Sequence, residues 1–368
     1  GFDLDLNALR LVRFSLDSDA VWMTERQKLH AKAMGMRYLD ITDVPSNFGR
    51  LFEKKHFSYP PPHGPDWTLA DAIFPLLSAL EMHANLEHFS SFRTRYYNSD
   101  TGKASSEWLL QKIRNYTAEF ASPEQRALIS VEPFRHNWKQ ASVIIRVAAP
   151  NTFVNNTDSI TILGAHCDSI NHENPFLPAP GADDDGSGTV TILEAYRALL
   201  RSGYIPTSPL EFHFYSAEEG GGLGSQDIVA EYEAEGKQVK GMQQFDMTAW
   251  VRSGSEEVVR IVTGSSVDDE LTDFLALLVD RYLDINWVKQ ELPKGAGSDH
   301  MLWTLAGYQA CHGFEALDAN ANFENIHTER DRINVSKSHE FSFEHMRQFA
   351  KLAVAFAVEL TAGDASMH

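Results

Sequence analysis

The sequence predicts an α/β fold: a single globular domain whose mostly parallel, mixed sheet is sandwiched between helices. Three observations carry that prediction. From about residue 140 onward, short apolar runs alternate with amphipathic helical stretches, the pattern of a sheet covered on both faces. Two of these runs, Val143–Val147 and Ile160–Gly164, are apolar enough for buried strands. Finally, 368 residues can form one large core, because a chain of this size buries roughly 75% of its unfolded surface.

Taken in order, residues 1–58 read differently from the rest. A short helical pattern starts at Thr24 and ends at Gly35, and Arg37–Ile41 reads as an extended piece. The run Tyr59-Pro60-Pro61-Pro62-His63-Gly64-Pro65 excludes regular helix and central strand, so it marks the boundary between an N-terminal segment, 1–58, and a main body, 59–368. Residues 67–120 are mostly helical: Leu76, Leu77, Leu80, Leu86 and Phe89 include helical spacings, and Ser105–Leu109 opens another helix. Beyond Ile160–Gly164 comes a helix over 188–200, with Leu193, Tyr196 and Leu200 on one face. Leu210, Phe212 and Phe214 then alternate along a strand. Residues 240–246, 258–263 and 308–314 are further strands, and 268–282 and 344–360 are helices. The last helix carries a core stripe of Met346, Phe349, Ala353, Phe356 and Leu360.

Composition narrows the function classes. Thirty-two basic against 51 acidic residues give a net charge of −19, which repels nucleic-acid phosphates. No apolar run reaches the ~18 residues of a membrane-spanning helix. Two cysteines, Cys167 and Cys311, leave one bridge or two free thiols equally open. The sequons at Asn115, Asn155 and Asn334 favour secretion weakly. The chain begins at Gly1 rather than Met, as after removal of a leader or trimming of the terminus.

In sheets of this kind ligands bind beyond the carboxyl ends of the strands. There the sequence offers Gly164-Ala165-His166-Cys167-Asp168, then Ala179-Pro180-Gly181-Ala182-Asp183-Asp184-Asp185-Gly186-Ser187-Gly188 leading into a helix. It goes on with Ser216-Ala217-Glu218-Glu219-Gly220, Asp246-Met247 and Asn325-Ile326-His327-Thr328. Singly, each has a bland reading: a structural histidine, a charged helix N-terminus, a solvated strand end. Together, two histidines and at least three carboxylates at one sheet edge are ligand chemistry for a divalent transition metal, zinc above all. Five ligands are too many for one tetrahedral ion with an open position; they suit two ions sharing a carboxylate. Of the pair Glu218-Glu219, one can bind metal while the other moves a proton. His136, His172, His312 and His339 keep the structural reading.

These motifs resemble those of the di-zinc aminopeptidases, and in particular the secreted fungal leucine aminopeptidases. Gly297-Ser298-Asp299-His300, Tyr96-Tyr97 and Val131-Glu132-Pro133-Phe134 extend the similarity over nearly the whole chain. The resemblance implies a zinc-peptidase fold and two zinc ions. His166 and Glu219 would bind one ion and Asp246 and His327 the other, with Asp184 as the bridge. Glu218 would be the general base, and Asp168 would orient His166. Residues 1–58 resemble the family's prosegment. In one loop the chain departs from the family: Pro293-Lys294-Gly295-Ala296 stands where relatives often carry a cysteine-flanked tyrosine, so the loop disulfide is missing and Gly295 replaces a group that polarises substrate.

The resemblance further implies a secreted, extracellular, glycosylated exopeptidase made with a signal and as a zymogen. Its substrates would be peptides with a free, apolar, leucine-like N-terminal residue, and it would act as a monomer without nucleic-acid or membrane partners. Met247, Phe314 and Ile326 flank the site in sequence and are the candidates for an apolar pocket. Two alternatives share the fold: a glutaminyl-cyclase-like acyltransferase and a non-catalytic binding ectodomain. The complete ligand set and the presence of Glu218 weigh against both. A carboxypeptidase would need cationic groups for a terminal carboxylate, and no arginine cluster adjoins these motifs.

Overall fold

A computed structural model describes residues 1–15, 18–150, 159–293, 296–335 and 339–362. The N-terminal segment builds a small antiparallel sheet of its own. β1 (Leu9–Arg13), β2 (Val21–Thr24) and β3 (Leu39–Asp40) pair in the order β2-β1-β3, with α1 (Glu25–Ala33) between the last two in the chain. α1 starts where the sequence predicts, because Thr24 and Gln27 form a reciprocal capping box. The proline-rich stretch 59–65 contains neither helix nor strand, as its prolines require.

The main body follows with α2 (Leu69–Ile73), α3 (Ala79–Phe89), α4 (Asp100–Phe120) and α5 (Pro123–Leu128). Next come β4 (Ile129–Phe134), β5 (Ser142–Val147), β6 (Ile160–His166), α6 (Gly186–Ser202), β7 (Leu210–Tyr215), α7 (Leu223–Ala234) and β8 (Val239–Phe245). The chain ends with β9 (Val258–Thr263), α8 (Asp269–Tyr282), β10 (Asn286–Glu291), α9 (His300–Leu305), β11 (Ala310–Phe314) and α10 (Phe343–Thr361). Eight strands make one sheet in the order β10-β9-β11-β8-β6-β7-β5-β4. The central four, β11-β8-β6-β7, are parallel; β9 against β11 and β5 against β4 and β7 are antiparallel. The sheet is therefore mixed with a parallel centre, as predicted.

Helices cover both faces. On one, α6 lies under α3, α4 and α10 and is buried over its first fifteen residues, Gly186 to Leu200. Met346, Phe349, Ala353, Phe356 and Leu360 of α10 are all buried there, and each large side chain contributes about 1.5–3 kcal/mol. On the other face Ile162, Tyr215, Ile228, Tyr232, Leu302 and Trp303 form a second cluster. Cys167 and Cys311 are both buried and free.

β6 is the element that positions the site. Its neighbours are β7 on one side and β8 on the other, so the chain crosses over in one direction through α6 and in the other through α7. Strand order reverses at β6, and a crevice opens beyond its carboxyl end.

Candidate metal centre

His166 is the last residue of β6, and its imidazole is fully buried. The loop that returns from it to α6 is fastened from several sides. Arg95, itself buried on the ring of Phe89 at 4.2 Å, donates to the carbonyls of Cys167 (3.0 Å), Pro180 and Gly181 (2.8 Å). Asp185 caps α6 by accepting from the Gly188 amide (2.8 Å), and also accepts from the amides of His166 (3.0 Å) and Met247 (3.2 Å). The Asp331 carboxylate accepts from the amides of Asp183 (2.9 Å) and Asp184 (3.0 Å). Asp183 accepts from Asn322 (2.9 Å). With its backbone held in this way, Asp184 is the aspartate of the three that meets the histidines.

All five expected ligands converge. His166 Nε2 lies 3.0 Å from Asp184 Oδ1 and 3.7 Å from Asp246 Oδ1. His327 Nε2 lies 2.8 Å from Asp184 Oδ2 and 3.1 Å from Glu219 Oε1. Two triads result, His166–Asp184–Asp246 and Asp184–Glu219–His327, each with its ligand atoms within 4.8 Å of one another. A tetrahedral zinc with bonds of ~2.0–2.1 Å sets its ligands about 3.3 Å apart, so donor type and spacing both fit that ion. Asp184 belongs to both triads, as a bridge would.

The pairing expected from the resemblance is corrected here. Asp246, not Glu219, accompanies His166, and Glu219, not Asp246, accompanies His327. The cause is strand order. β6 and β8 are neighbours, so His166 and Asp246 leave the sheet side by side. Glu219 follows β7 and meets the loop that carries His327.

Asp168 is buried and takes the orienting position. Its carboxylate faces His166 Nδ1 at 3.3 Å and accepts from the amides of Glu218 and Glu219, both at 3.1 Å. One side chain thus aligns an imidazole and the turn that bears two carboxylates. Glu218 is half-buried and lines the cavity with Asp184, Glu219, Asp246 and His327. Burial raises its proton affinity well above that of a free carboxyl; His166 opposes the shift and Glu219 adds to it. Glu219 behaves oppositely. Burial works against its charge, but His327 and Lys32 outweigh burial and draw it down to about 2. Burial also disfavours charge on His327, yet Glu219 and Asp184 push that imidazole up to about 9. Adjacent carboxyls with opposed proton affinities suit one to ligand duty and the other to proton transfer.

Met247, Phe314 and Ile326 line the cavity, join one buried cluster and are flanked by Leu292 and Phe323, forming its apolar wall. Ala217, Met247 and His327 have left-handed backbones, with φ of 59°, 64° and 56°, a conformation that costs roughly 1–3 kcal/mol each and concentrates where geometry serves a site. His136, bonded to Asp227 and Ser142 and stacked on Trp138, is structural. The His172 amide holds the His327 carbonyl (2.9 Å), and His312 donates to the Asp246 carbonyl at 3.3 Å, a support that the sequence did not signal. Gly295 lies outside the described residues. Sequence reasoning also missed Arg95, Asp331 and, above all, Lys32: Arg13, Lys32, Arg37 and Tyr38 of the N-terminal segment line the same cavity.

Fold and site together define a metallopeptidase with a two-sided ligand cluster at the switch point of a mixed sheet. The chain belongs to peptidase family M28, whose profile matches residues 145–352. Over 353 residues it is 40% identical to Leucine aminopeptidase 1 of Penicillium rubens, covering 92% of this chain and 86% of that protein. Leucine aminopeptidase 1 of Aspergillus fumigatus is 41% identical with the same coverage. Among solved structures, the Legionella pneumophila LapA aminopeptidase superposes with a TM-score of 0.79 at 23% identity, covering 97% of this chain and 99% of that one. LapB of the same organism gives 0.78 at 22% identity, with 96% and 95% covered. The two superpositions establish the shared fold.

Proposed function

We propose that this metallo-aminopeptidase uses two zinc ions to release N-terminal, apolar, leucine-like residues from peptides. The observation that carries the proposal is the double triad around Asp184 with Glu218 beside it. His166 and Asp246 would hold one ion, Glu219 and His327 the other, and Asp184 both. Bound zinc supplies Lewis-acid polarisation of the scissile carbonyl and lowers the pKa of water. The protein's own part is proton handling and orientation. Glu218, a carboxyl of raised proton affinity at the cavity wall, takes the proton of the attacking water and returns it to the leaving nitrogen. Asp168 keeps His166 in the tautomer that presents Nε2. The wall of Met247, Phe314 and Ile326 receives the first side chain.

The remaining readings belong to the same proposal. Residues 1–58 act as a prosegment, and the enzyme is a secreted, extracellular, glycosylated monomer. Asn115 and Asn334 are exposed, as glycosylation requires, whereas Asn155 lies outside the described residues. Among the described residues no helix is long and apolar enough to cross a membrane. A glutaminyl cyclase from Bacteroides thetaiotaomicron shares the fold, with a TM-score of 0.56 at 14% identity, but fold alone does not favour its chemistry here. The test is dialysis against a strong zinc chelator, followed by assay on aminoacyl amides and on an N-terminal glutaminyl peptide. Hydrolysis of the leucyl amide should vanish and return with zinc, at two ions per active chain. One ion or none per active chain defeats the two-zinc reading, and cyclisation in preference to hydrolysis defeats the peptidase reading.

A further inference from the structure

Lys32 projects from the last turn of α1 into the metal centre, with a tenth of its side chain exposed. Its Nζ donates to Glu219 Oε2 at 2.5 Å and to the Glu219 carbonyl at 3.2 Å. The other carboxylate oxygen, Oε1, faces His327 Nε2 at 3.1 Å. A cation of the N-terminal segment and one of the two ligand triads therefore share a single carboxylate. The His166–Asp184–Asp246 triad is differently placed, for the contacts of its imidazole are the carboxylates of Asp168, Asp184 and Asp246.

α1 is fixed to the very turn that carries Glu219. Lys28, buried against Asp40 (2.8 Å) and Glu25 (3.0 Å), donates to the Gly220 carbonyl at 3.2 Å. The Asp40 amide donates to the Gly221 carbonyl at 3.0 Å, and Gln226 of α7 reaches the Asp40 carbonyl at 2.8 Å. At Gly221 the approach is so close that an added Cβ would lie 2.6 Å from the Asp40 nitrogen. The position of Lys32 is thus set by where the segment docks on the ligand turn.

We infer that the N-terminal segment makes metal loading unequal: Lys32 holds Glu219 and weakens ion binding at the Asp184–Glu219–His327 triad relative to the His166–Asp184–Asp246 triad. This rests on the two-metal reading above. Oε1 stays open toward His327, but while Lys32 holds Oε2 its ammonium draws charge from the shared carboxylate and repels a divalent ion in that triad. α1 is then a gate on the second ion as well as a cover on the pocket.

The test titrates zinc into the metal-free full-length chain against a competing chromogenic chelator, comparing wild type with Lys32→Met, Lys32→Gln and Lys32→Arg. Two unequal affinities are expected for wild type. Lys32→Met and Lys32→Gln should tighten the weaker one by about 10- to 100-fold, the range over which a ligand's outer partners tune metal affinity, and leave the stronger one alone. Lys32→Arg should keep the inequality. Asp246→Asn should remove the stronger class and so identify it. The use of two neutral replacements guards against one that misfolds, with circular dichroism as the check. Two bound zincs whose affinities do not respond to either neutral variant overturn the inference and leave the two-metal site standing. Failure of every variant, wild type included, to take up a second zinc overturns the two-metal reading and the gate with it.

Discussion

Asp183, Asp184 and Asp185 have the same side chain and perform three tasks. Asp185 caps α6 and ties β6 to the end of β8; Asp183 is buried against Asn322, and burial pushes its carboxyl up to about 6. Asp184 alone reaches both His166 and His327. Two predictions belong at this scale. Asp184→Asn should lose more zinc than Asp168→Asn, because the first touches both triads while the second works through His166 and the 218–219 amides. Outer partners of that kind typically change metal affinity by about 10- to 100-fold. Metal analysis decides it, and equal loss in the two variants would remove Asp184 from the bridging position. Glu218→Gln should keep fold and zinc while turnover falls on the order of 100- to 10,000-fold, since Gln preserves size but accepts no proton. Near-normal turnover would move the base elsewhere.

At the scale of elements, the loop 179–188 is buried throughout and packed so closely that its glycines have no room for a Cβ. Gly181 has φ +52°, and a Cβ there would meet the Asp184 carbonyl at 2.6 Å and Arg95 Nη2 at 2.8 Å. Gly203, at the end of the same helix, also has positive φ (+75°) but open space around it. Gly181→Ala should therefore cost about 2–4 kcal/mol and weaken zinc binding, whereas Gly203→Ala should cost about 1–2 kcal/mol with zinc binding intact. Denaturant titration beside zinc titration separates the two; equal zinc affinities would mean that Arg95 and Asp331 hold the loop without that glycine. β6, β7, β8, β9, α6 and α10 are buried over most of their length and α8 buries one face, so exclusion of solvent selects apolar runs in the strands and an apolar stripe in α8. β4 and β10 are the sheet's two edges, half-wetted, with Pro133 in one and Asn286-Trp287-Val288-Lys289 in the other, and neither reads as an apolar run. In α7 the buried face mixes Leu223 and Ile228 with Ser225, Gln226 and Glu233, which blurs the helical period. The candidate ligands were legible because metal chemistry restricts residue type. Their pairing was not, because it depends on which strands are neighbours. Lys32 was not legible either, since its partner lies 187 residues away and only docking of the segment brings them together.

At the scale of the whole molecule, the described part of residues 1–58 folds against the rest and reaches over the metal centre. They form a separate sheet, yet Leu39, Ile41, Phe48 and Phe52 pack on the cluster of Tyr215, Leu302, Trp303 and Tyr308, and Arg13, Lys32, Arg37 and Tyr38 line the cavity. A layer that covers the site and shares apolar contacts can be either a removable cover or a structural face. The boundary argues for a cover. Residues 53–65 contain no helix or strand and are exposed for much of their length, the kind of segment that proteases cut. Tyr59 already belongs to the main body, for its hydroxyl donates to the Lys240 carbonyl at 2.5 Å and its ring lies 5.6 Å from that of Phe274. Apolar packing and the Lys28 contact should keep the two pieces together after a cut, so cleavage and release are separate events. Limited proteolysis near residues 52–58 should leave a folded body beginning close to Tyr59. Its hydrolysis of a leucyl amide should be unchanged while the fragment stays bound and higher once mild denaturant and dilution remove it, as Lys32 leaves Glu219. Activity is to be followed against both cleavage and fragment release on a sizing column. If the body loses its cooperative melting transition when 1–58 departs, the segment is an integral layer of the fold and the prosegment reading falls.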